Sequence, residues 1–444
     1  MDMMNCLTNI KSRKVRQSGR IVVVATVCVL FAAAAIVFFS PQSNAQDAGQ
    51  PAAQGSQPAA GRGQGRGTGG TNRGLYANLE HPVLPIGSAL PDFNLPGIDG
   101  KNHSSDEYKG AKYLAIVFES NHCPVSIAYE GRIRGIYEDY KGKGLQLIAI
   151  NPNNPSTVAL SELGYTDMTD DMADMKTRAA LRHIDWPYLY DGDTQATTIK
   201  FGAVATPHIF IFDQDRKLRY EGRIDDSTAS SKVKSNDARN ALDAMVADQP
   251  VPVASTQTFG CSTKWLSSHS ASVARETTQL HSEPVSLTPA SAEDLKALRA
   301  NNTGKTVVVE FWSLKCKECL ATFNDYETTW WMYRRRKFDM VTVSSDSPKD
   351  SAAVLDYLKT QHAGGKNLQF NSTDSKALQA AVGEKWKVGT PFFMVIGPDG
   401  SVVYQKSGKA DILDVRRHVL ASIPDDGPWY DVQQYWTSVI KGGQ

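Results

Sequence analysis

Six cysteines carry the most specific chemistry in this 444-residue chain, and two of them, Cys6 and Cys28, lie in a basic and apolar leader. Cys123, Cys261, Cys316 and Cys319 remain. Cys316 and Cys319 form a C-x-x-C pair, which suits either metal ligation or a reversible disulfide. Structural zinc sites draw on two such pairs, or on one pair with histidines nearby in sequence, and the chain has no second pair. The apolar run 306–312 reads as a strand and 318–337 as a helix, so Cys316 opens that helix. Free N–H groups and the helix dipole there favour thiolate over thiol. Cys316, nearer the exposed end, is expected to attack a substrate disulfide, and Cys319, one turn on, to resolve the mixed disulfide. Lys315 and Lys317 favour the thiolate, whereas Glu318 opposes it.

The elements that position these residues recur in two halves. From His81 the pattern is α/β. Strands are expected at 112–118, 145–150, 208–212 and 218–221, and helices at 124–140, 168–183, 196–201 and 237–247. Downstream, strands are expected at 306–312, 338–343, 392–396 and 402–404, with helices at 318–337, 352–361, 375–382 and 411–421. Each half runs strand–helix–strand, then Thr-Pro, a hairpin and a helix, with the Thr-Pro pairs at 206–207 and 390–391. Alternating units followed by a hairpin imply a mixed sheet with helices on both faces.

A thiol motif at the first strand–helix junction, with Thr-Pro before a later hairpin, resembles the thioredoxin fold. The second half carries the resemblance in Phe311-Trp312-Ser313-Leu314-Lys315-Cys316-Lys317-Glu318-Cys319 and Gly389-Thr390-Pro391. The first half resembles the redoxin (alkyl hydroperoxide reductase/thiol-specific antioxidant) branch in Ser120-Asn121-His122-Cys123-Pro124, the segments 202–207 and 222–227, and Gly260-Cys261-Ser262-Thr263-Lys264-Trp265. The resemblance covers roughly 83–265 and 285–424. It implies a cis proline whose loop faces each thiol motif. In the second half Pro391 would pack against the disulfide, and Thr390 would offer main-chain hydrogen bonds to a bound peptide; Thr206 and Pro207 take the corresponding place in the first. Glu310, six residues before Cys316, would be the buried acid that shuttles a proton for Cys319. The other reading of Glu310 is a surface glutamate, since strand alternation alone leaves its face open. The chain departs from the family at Lys317-Glu318, where Gly-Pro is common, and at Leu320, where Pro is common.

Cys123 stands alone in its motif, because Ser120 occupies the place of a dithiol partner and cannot form a disulfide. The peroxidase motif P-x-x-x-T/S-x-x-C would want Pro at 116, where Ile116 stands. Three readings stay open. The half is a degenerate, binding-only domain; or Cys123 is a monothiol that pairs transiently with Cys261 or a partner; or His122, Cys123 and His208 bind copper or zinc. Cys261 lies beyond the last helix of this half and meets Cys123 only if the chain folds back.

Residues 1–45 carry five basic side chains and one acid, with an apolar run over 21–39 and Ser43-Asn44-Ala45 behind it. This is a signal peptide cleaved after Ala45, or an anchor through 21–39, and either places the rest outside the cytoplasm. Residues 46–80 are a low-complexity linker unable to bury a core. The 48 basic and 47 acidic residues nearly cancel, which excludes a nucleic-acid footprint. Asp167, Asp170, Asp171 and Asp174 lack the glycine and terminal glutamate of a calcium loop and are expected to solvate and cap the following helix. Trp330, Trp331, Met332 and Tyr333 are expected in the core, and Trp429, Tyr430, Tyr435 and Trp436 to dock on the second domain.

The sequence thus reads as an α/β protein of two thioredoxin-like domains, each a mixed sheet flanked by helices, after a signal segment. Domain 1 is expected at 81–250, a linker at 251–284, domain 2 at 285–424 and an aromatic tail at 425–444. The expected activity is that of an exported thiol–disulfide oxidoreductase working through Cys316 and Cys319, with domain 1 for binding. It needs no bound cofactor. Its partners would be protein thiols or disulfides and a membrane electron relay or other thiol–disulfide donor. The alternatives are a thiol peroxidase centred on Cys123 and a metal-binding scaffold.

Overall fold

The computed structural model describes residues 81–424 and 430–442. The signal or anchor at 1–45, the linker at 46–80 and Trp429 lie outside the described residues. In the first half the chain forms β1 (Asn94–Pro96), β2 (Asn102–Ser104), β3 (Tyr113–Phe118), α1 (Pro124–Lys141), β4 (Leu145–Asn151), α2 (Met172–Arg182), β5 (Tyr188–Tyr190), α3 (Ala196–Phe201), β6 (Ala205–Thr206), β7 (His208–Phe212), β8 (Leu218–Gly222), α4 (Asp237–Val246) and β9 (Cys261–Ser262). Then come α5 (Leu266–His281), β10 (Thr288–Ala290), α6 (Ala292–Ala300), β11 (Thr306–Trp312), α7 (Lys317–Tyr333), β12 (Phe338–Ser344), α8 (Ser351–Thr360), β13 (Lys366–Phe370), α9 (Ser375–Val382), β14 (Phe392–Ile396), β15 (Val402–Ser407), α10 (Ile412–Ser422) and α11 (Tyr430–Ile440).

Two mixed sheets result, in the orders β5-β4-β3-β7-β8 and β10-β13-β12-β11-β14-β15. In each, the strand that leads to a cysteine is central, parallel to one neighbour and antiparallel to the other: β3 between β4 and β7, β11 between β12 and β14. Both central strands are buried along their whole length, which is why they read as largely apolar runs rather than as alternation, with Glu310 the charged exception in β11. In β11, Val307, Val309 and Phe311 face α6 and α9, while Val308 and Trp312 face the side of α7, α8 and α10. Glu310 therefore shares the α7 face.

The two halves share one hydrophobic cluster. Ile127, Val158 and Leu163 of the first pack in the same cluster as Val308, Tyr326, Tyr333 and Val419 of the second. The aromatic tail closes this junction rather than docking on domain 2 alone: Tyr435 donates to Glu130 (3.2 Å) and Trp436 to the Tyr165 carbonyl (3.1 Å). Trp331, Met332 and Tyr333 are buried as expected, and Tyr333 donates to the Thr166 carbonyl at 2.7 Å.

Other expectations change. The 251–284 segment is not a plain linker, because β9 pairs with β6 and α5 fills most of the remainder. The acidic stretch does not solvate its helix. Asp171 alone caps α2, accepting the Asp174 N–H at 2.7 Å, while Asp167 and Asp170 are fully buried. Asp167 accepts from Arg178 (2.6 Å) and from Arg417 of the second half (2.8 Å), and these cations keep its charge inside. Among the described residues no helix is long and apolar enough to cross a membrane.

Candidate functional site

Cys316 caps α7: its sulfur accepts the Cys319 N–H at 3.0 Å. Asp346, beyond β12, holds the loop in front of it by accepting from Ser313 Oγ (2.8 Å) and the Leu314 N–H (2.9 Å). Cys316 and Cys319 are joined as a disulfide, Cα–Cα 5.2 Å. Cys319 is fully buried and Cys316 is 7% exposed, with Lys315, Lys317 and Glu318 exposed around them. Trp312, Phe323, Val354 and Leu358 pack behind the sulfurs.

The strand that leads to this disulfide carries an acid. Glu310 is fully buried, and among the described residues neither carboxyl oxygen has a hydrogen-bond partner. The surface reading of Glu310 is thereby excluded. Burial pushes its carboxyl well above the usual carboxylate range, and the neighbouring Glu327 and Asp325 push it further. Glu327, two turns along α7 from Cys319, is a second buried acid, and burial raises it to about 8. Sequence reading missed Glu327. The signal was there: Cys319, Phe323, Tyr326 and Glu327 occupy one face of the helix, at spacings of four, three and one.

The Thr390–Pro391 loop differs from what the resemblance implies. Among the described residues the one cis peptide is Thr206–Pro207. Thr390 turns back on its own loop, donating its N–H and its hydroxyl to the Lys387 carbonyl (3.1 and 2.7 Å), with Gly389 at φ +86° completing the turn. The Thr390 N–H is thus spent inside the chain, and Thr390 and Pro391 have no hydrogen bond to either cysteine.

In the first half Cys123 caps α1 as Cys316 caps α7, accepting the Ser126 N–H at 3.5 Å. Ser120 donates to, or accepts from, Thr206 Oγ1 at 3.1 Å, so the Thr206-Pro207 loop does face this motif. Cys123 Sγ lies 3.0 Å from the Thr206 carbonyl oxygen. His122 is buried beside it, with Nδ1 2.5 Å from the buried Asp170 carboxylate. Burial alone would push His122 down, but Asp170 outweighs it and holds the imidazole above its ordinary value; Asp170 in turn is held low. Asp170, read from sequence as a solvating residue, is the partner that favours the charged form of His122.

Cys261 reaches this site through the β6–β9 pairing, in which it stands opposite Thr206. Cys261 packs against the hydrophobic cluster that holds Cys123, and Thr206, which it faces across the pairing, brings its carbonyl oxygen to the Cys123 sulfur. Burial alone would push the Cys123 thiol up. The Cys261 thiol, the His122 charge and the N–H groups of Ser126 and Cys261 outweigh burial and bring it to about 5, while Cys261 is pushed well up. The two cysteines are thus brought together, whereas His208 is drawn off to Glu221 at 3.1 Å. Among the described residues no group of three or more His, Cys, Asp or Glu side chains is placed to hold a metal ion, so His122, Cys123 and His208 do not form one.

Comparison with known proteins sorts the two halves. Residues 86–221 match the AhpC/TSA family and residues 304–402 match a thioredoxin-like family. The chain pairs a redoxin domain with a thioredoxin-like domain. Relatives include the thiol–disulfide oxidoreductase ResA of Geobacillus thermodenitrificans, 28% identical over 83 residues, 18% of this chain and 47% of that protein. The chloroplastic peroxiredoxin Q of Gentiana triflora is 30% identical over 89 residues, 19% of this chain and 41% of that one. The chain therefore spans less than half the length of these curated relatives. Among solved structures, an uncharacterised conserved protein of Geobacillus kaustophilus is 32% identical and covers 42% of this chain and 95% of its own, with a TM-score of 0.37.

Proposed function

We propose that this chain is an exported thiol–disulfide oxidoreductase that works by dithiol–disulfide exchange through Cys316 and Cys319 of its thioredoxin-like domain, with the redoxin domain contributing to client binding. One observation carries the reading: the Cys316–Cys319 bond spans the N-terminus of α7 directly beyond a strand that buries Glu310. In the reduced state the Cys316 thiolate, stabilised by the helix N-terminus, attacks one sulfur of a client disulfide. A Cys316–client bond forms and the other client sulfur leaves as thiolate. Cys319 then loses its proton, attacks Cys316 and releases the client, reduced by two electrons. A buried carboxyl kept neutral by its surroundings can exchange a proton with Cys319 where water has no access. Run backwards, the same steps oxidise a client dithiol. Clients are protein thiols or disulfides, and a membrane electron relay or another thiol–disulfide donor resets the pair. The basic and apolar leader supports a place outside the cytoplasm, held by 21–39 where the leader is retained.

The test uses a chain in which Cys123→Ser and Cys261→Ser silence the first domain. Equilibration with glutathione buffers, followed by alkylation, is expected to give a reversible two-electron transition of Cys316 and Cys319. Adding Cys319→Ser is expected to trap clients on Cys316 for mass spectrometry. A pair that stays open at every buffer ratio, or that purifies with bound zinc, overturns the proposal.

A further inference from the structure

The redoxin domain holds a pair of thiols that this mechanism does not use. Cys123 and Cys261 are 138 positions apart in the sequence, yet the fold makes a specific effort to join them. Gly260 sits at φ +152°, and a Cβ there would lie 2.1 Å from the Thr206 carbonyl oxygen, so only glycine lets the strand approach. Beyond Cys261 the segment is pinned at each step. Thr263 donates its N–H to the Val204 carbonyl (3.0 Å) and its hydroxyl to the Ala203 carbonyl (2.6 Å), and the Lys264 N–H reaches Asn153 (2.9 Å). Gln195 clamps the end by donating to the Lys264 carbonyl and accepting the Leu266 N–H, both at 2.9 Å.

The surroundings of the two sulfurs differ. Cys123 is fully buried, and among the described residues the Nε2 atom of the neighbouring His122 has no hydrogen-bond partner. Cys261 is only partly buried. The Thr206 carbonyl, 3.0 Å from Cys123 Sγ, opposes a thiolate there. The Cys261 thiol, two backbone N–H groups and the His122–Asp170 pair favour one.

We propose that Cys123 and Cys261 are a second redox-active dithiol, which closes to a disulfide within the redoxin domain and is opened by thiols that enter at Cys261. In the opening step an incoming thiolate bonds to Cys261 Sγ, the Cys123–Cys261 bond breaks, and Cys123 leaves as thiolate. Leaving is fast where the departing sulfur is a stabilised thiolate, which is what the environment of Cys123 provides. A second incoming thiolate attacks the entering sulfur, the mixed disulfide breaks, and Cys261 leaves and takes up a proton. Two electrons pass from the incoming thiols to the pair. Closure is the reverse, with a disulfide of the same class as oxidant. The substrates are thiols and disulfides small or extended enough to reach Cys261.

The unsubstituted chain provides the first test. After equilibration with glutathione disulfide, acid quenching and alkylation, peptide mapping is expected to recover a Cys123–Cys261 cross-linked peptide that disappears on adding glutathione. Two variants read the order of events in a Cys316→Ser, Cys319→Ser background, where failure of the first proposal has no influence. Cys123→Ser is expected to retain glutathione on Cys261, at least tenfold more than Cys261→Ser retains on Cys123. Both thiols remaining alkylatable in pure glutathione disulfide would overturn the proposal. So would glutathione held mainly on Cys123, stoichiometric metal bound through both sulfurs, or peroxide consumption by Cys123 that ignores Cys261→Ser.

Discussion

Replacing Glu327 with glutamine offers a direct measure of how far burial controls protons on the buried face of α7. Glu327 is 2% exposed, and burial raises its carboxyl from 4.5 to about 8. A carboxyl raised in the fold contributes stability that is fully present below the unfolded value and is lost as pH rises toward the folded one. Near neutrality the folded chain keeps this proton, whereas the unfolded chain has released it. The interval from 4.5 to neutrality is roughly 2.5 pH units, and at about 1.4 kcal/mol for each the fold is destabilised by about 3 kcal/mol. Near pH 5 the same group costs only about 1 kcal/mol. Glutamine titrates in neither state. Any packing or hydrogen-bond penalty it introduces is independent of pH and cancels when two pH values are compared. Urea unfolding of the oxidised full chain, wild type and Glu327→Gln, is therefore expected to shift in the variant's favour by about 2 kcal/mol between pH 5 and pH 7. A gap that moves by less than ~0.5 kcal/mol means that Glu327 is ionised in the fold. The inference that burial keeps Glu310 protonated would then fall with it, since the same burial acts on both.

Glu310→Gln is expected to slow release of a client by Cys319 about 10²–10⁴-fold while leaving attack by Cys316 within a few-fold, as separated by rapid-quench trapping of the mixed disulfide; equal slowing of both steps removes Glu310 from proton transfer. Asp167→Asn leaves Arg178 and Arg417 without the carboxylate they share, which is expected to cost about 3–5 kcal/mol and to raise hydrogen exchange in α10 and α11 before the sheets; uniform exchange would contradict a junction held there. Asp170→Asn is expected to release the His122 proton and to move the ultraviolet thiolate transition of Cys123 upward from about 5. Cys261 and the Ser126 N–H stay beside this sulfur, and Lys264 and Glu162, which act on Cys261, remain in place, so an unmoved transition would show that His122 carries no charge.

The central strands, their succession along the chain and the C-x-x-C helix were legible because each is dictated locally: a buried strand is a largely apolar run, and a cysteine at a strand–helix junction caps the helix. What the sequence hid depends on contacts between distant segments. Strands β5, β10 and β13 are short or at the margin of their sheets, and β9 has only two residues, so periodicity has too little length to register them. The acidic stretch shows the same limit. Composition assigns four aspartates to water, but Asp167 and Asp170 are buried because Arg178, Arg417 and His122 converge on them from other elements. Glu310 could be placed in its strand but not on its face until α7 was seen to cover it. The turn that occupies Thr390 depends on Gly389 and Lys387 as much as on the Thr-Pro pair, and the resemblance spoke only to the latter.

The two halves solve one geometric problem in different ways. Each places a cysteine at the cap of the helix that follows its central strand, where backbone N–H groups stabilise a thiolate. A dithiol needs a second sulfur within bonding reach of the first. In the thioredoxin-like domain the same helix provides it one turn on, at Cys319, so the pair is local and stays together through any motion of the helix. In the redoxin domain Ser120 stands three residues before Cys123 and offers no sulfur, and the second sulfur arrives on β9 from beyond α4. Such a pair is only as durable as the pairing that holds it. Its persistence rests on Gly260, on the hydrogen bonds of Thr263 and Lys264, and on the Gln195 clamp, none of which touches a sulfur. Gly260→Ala therefore separates position from chemistry: both thiols remain, but the added methyl group cannot lie against the Thr206 carbonyl. The variant is expected to keep the Cys316–Cys319 transition unchanged and to lose the Cys123–Cys261 cross-link. Retention of the cross-link at wild-type yield would mean that β9 finds Cys123 without the close approach, and that the glycine serves some other need.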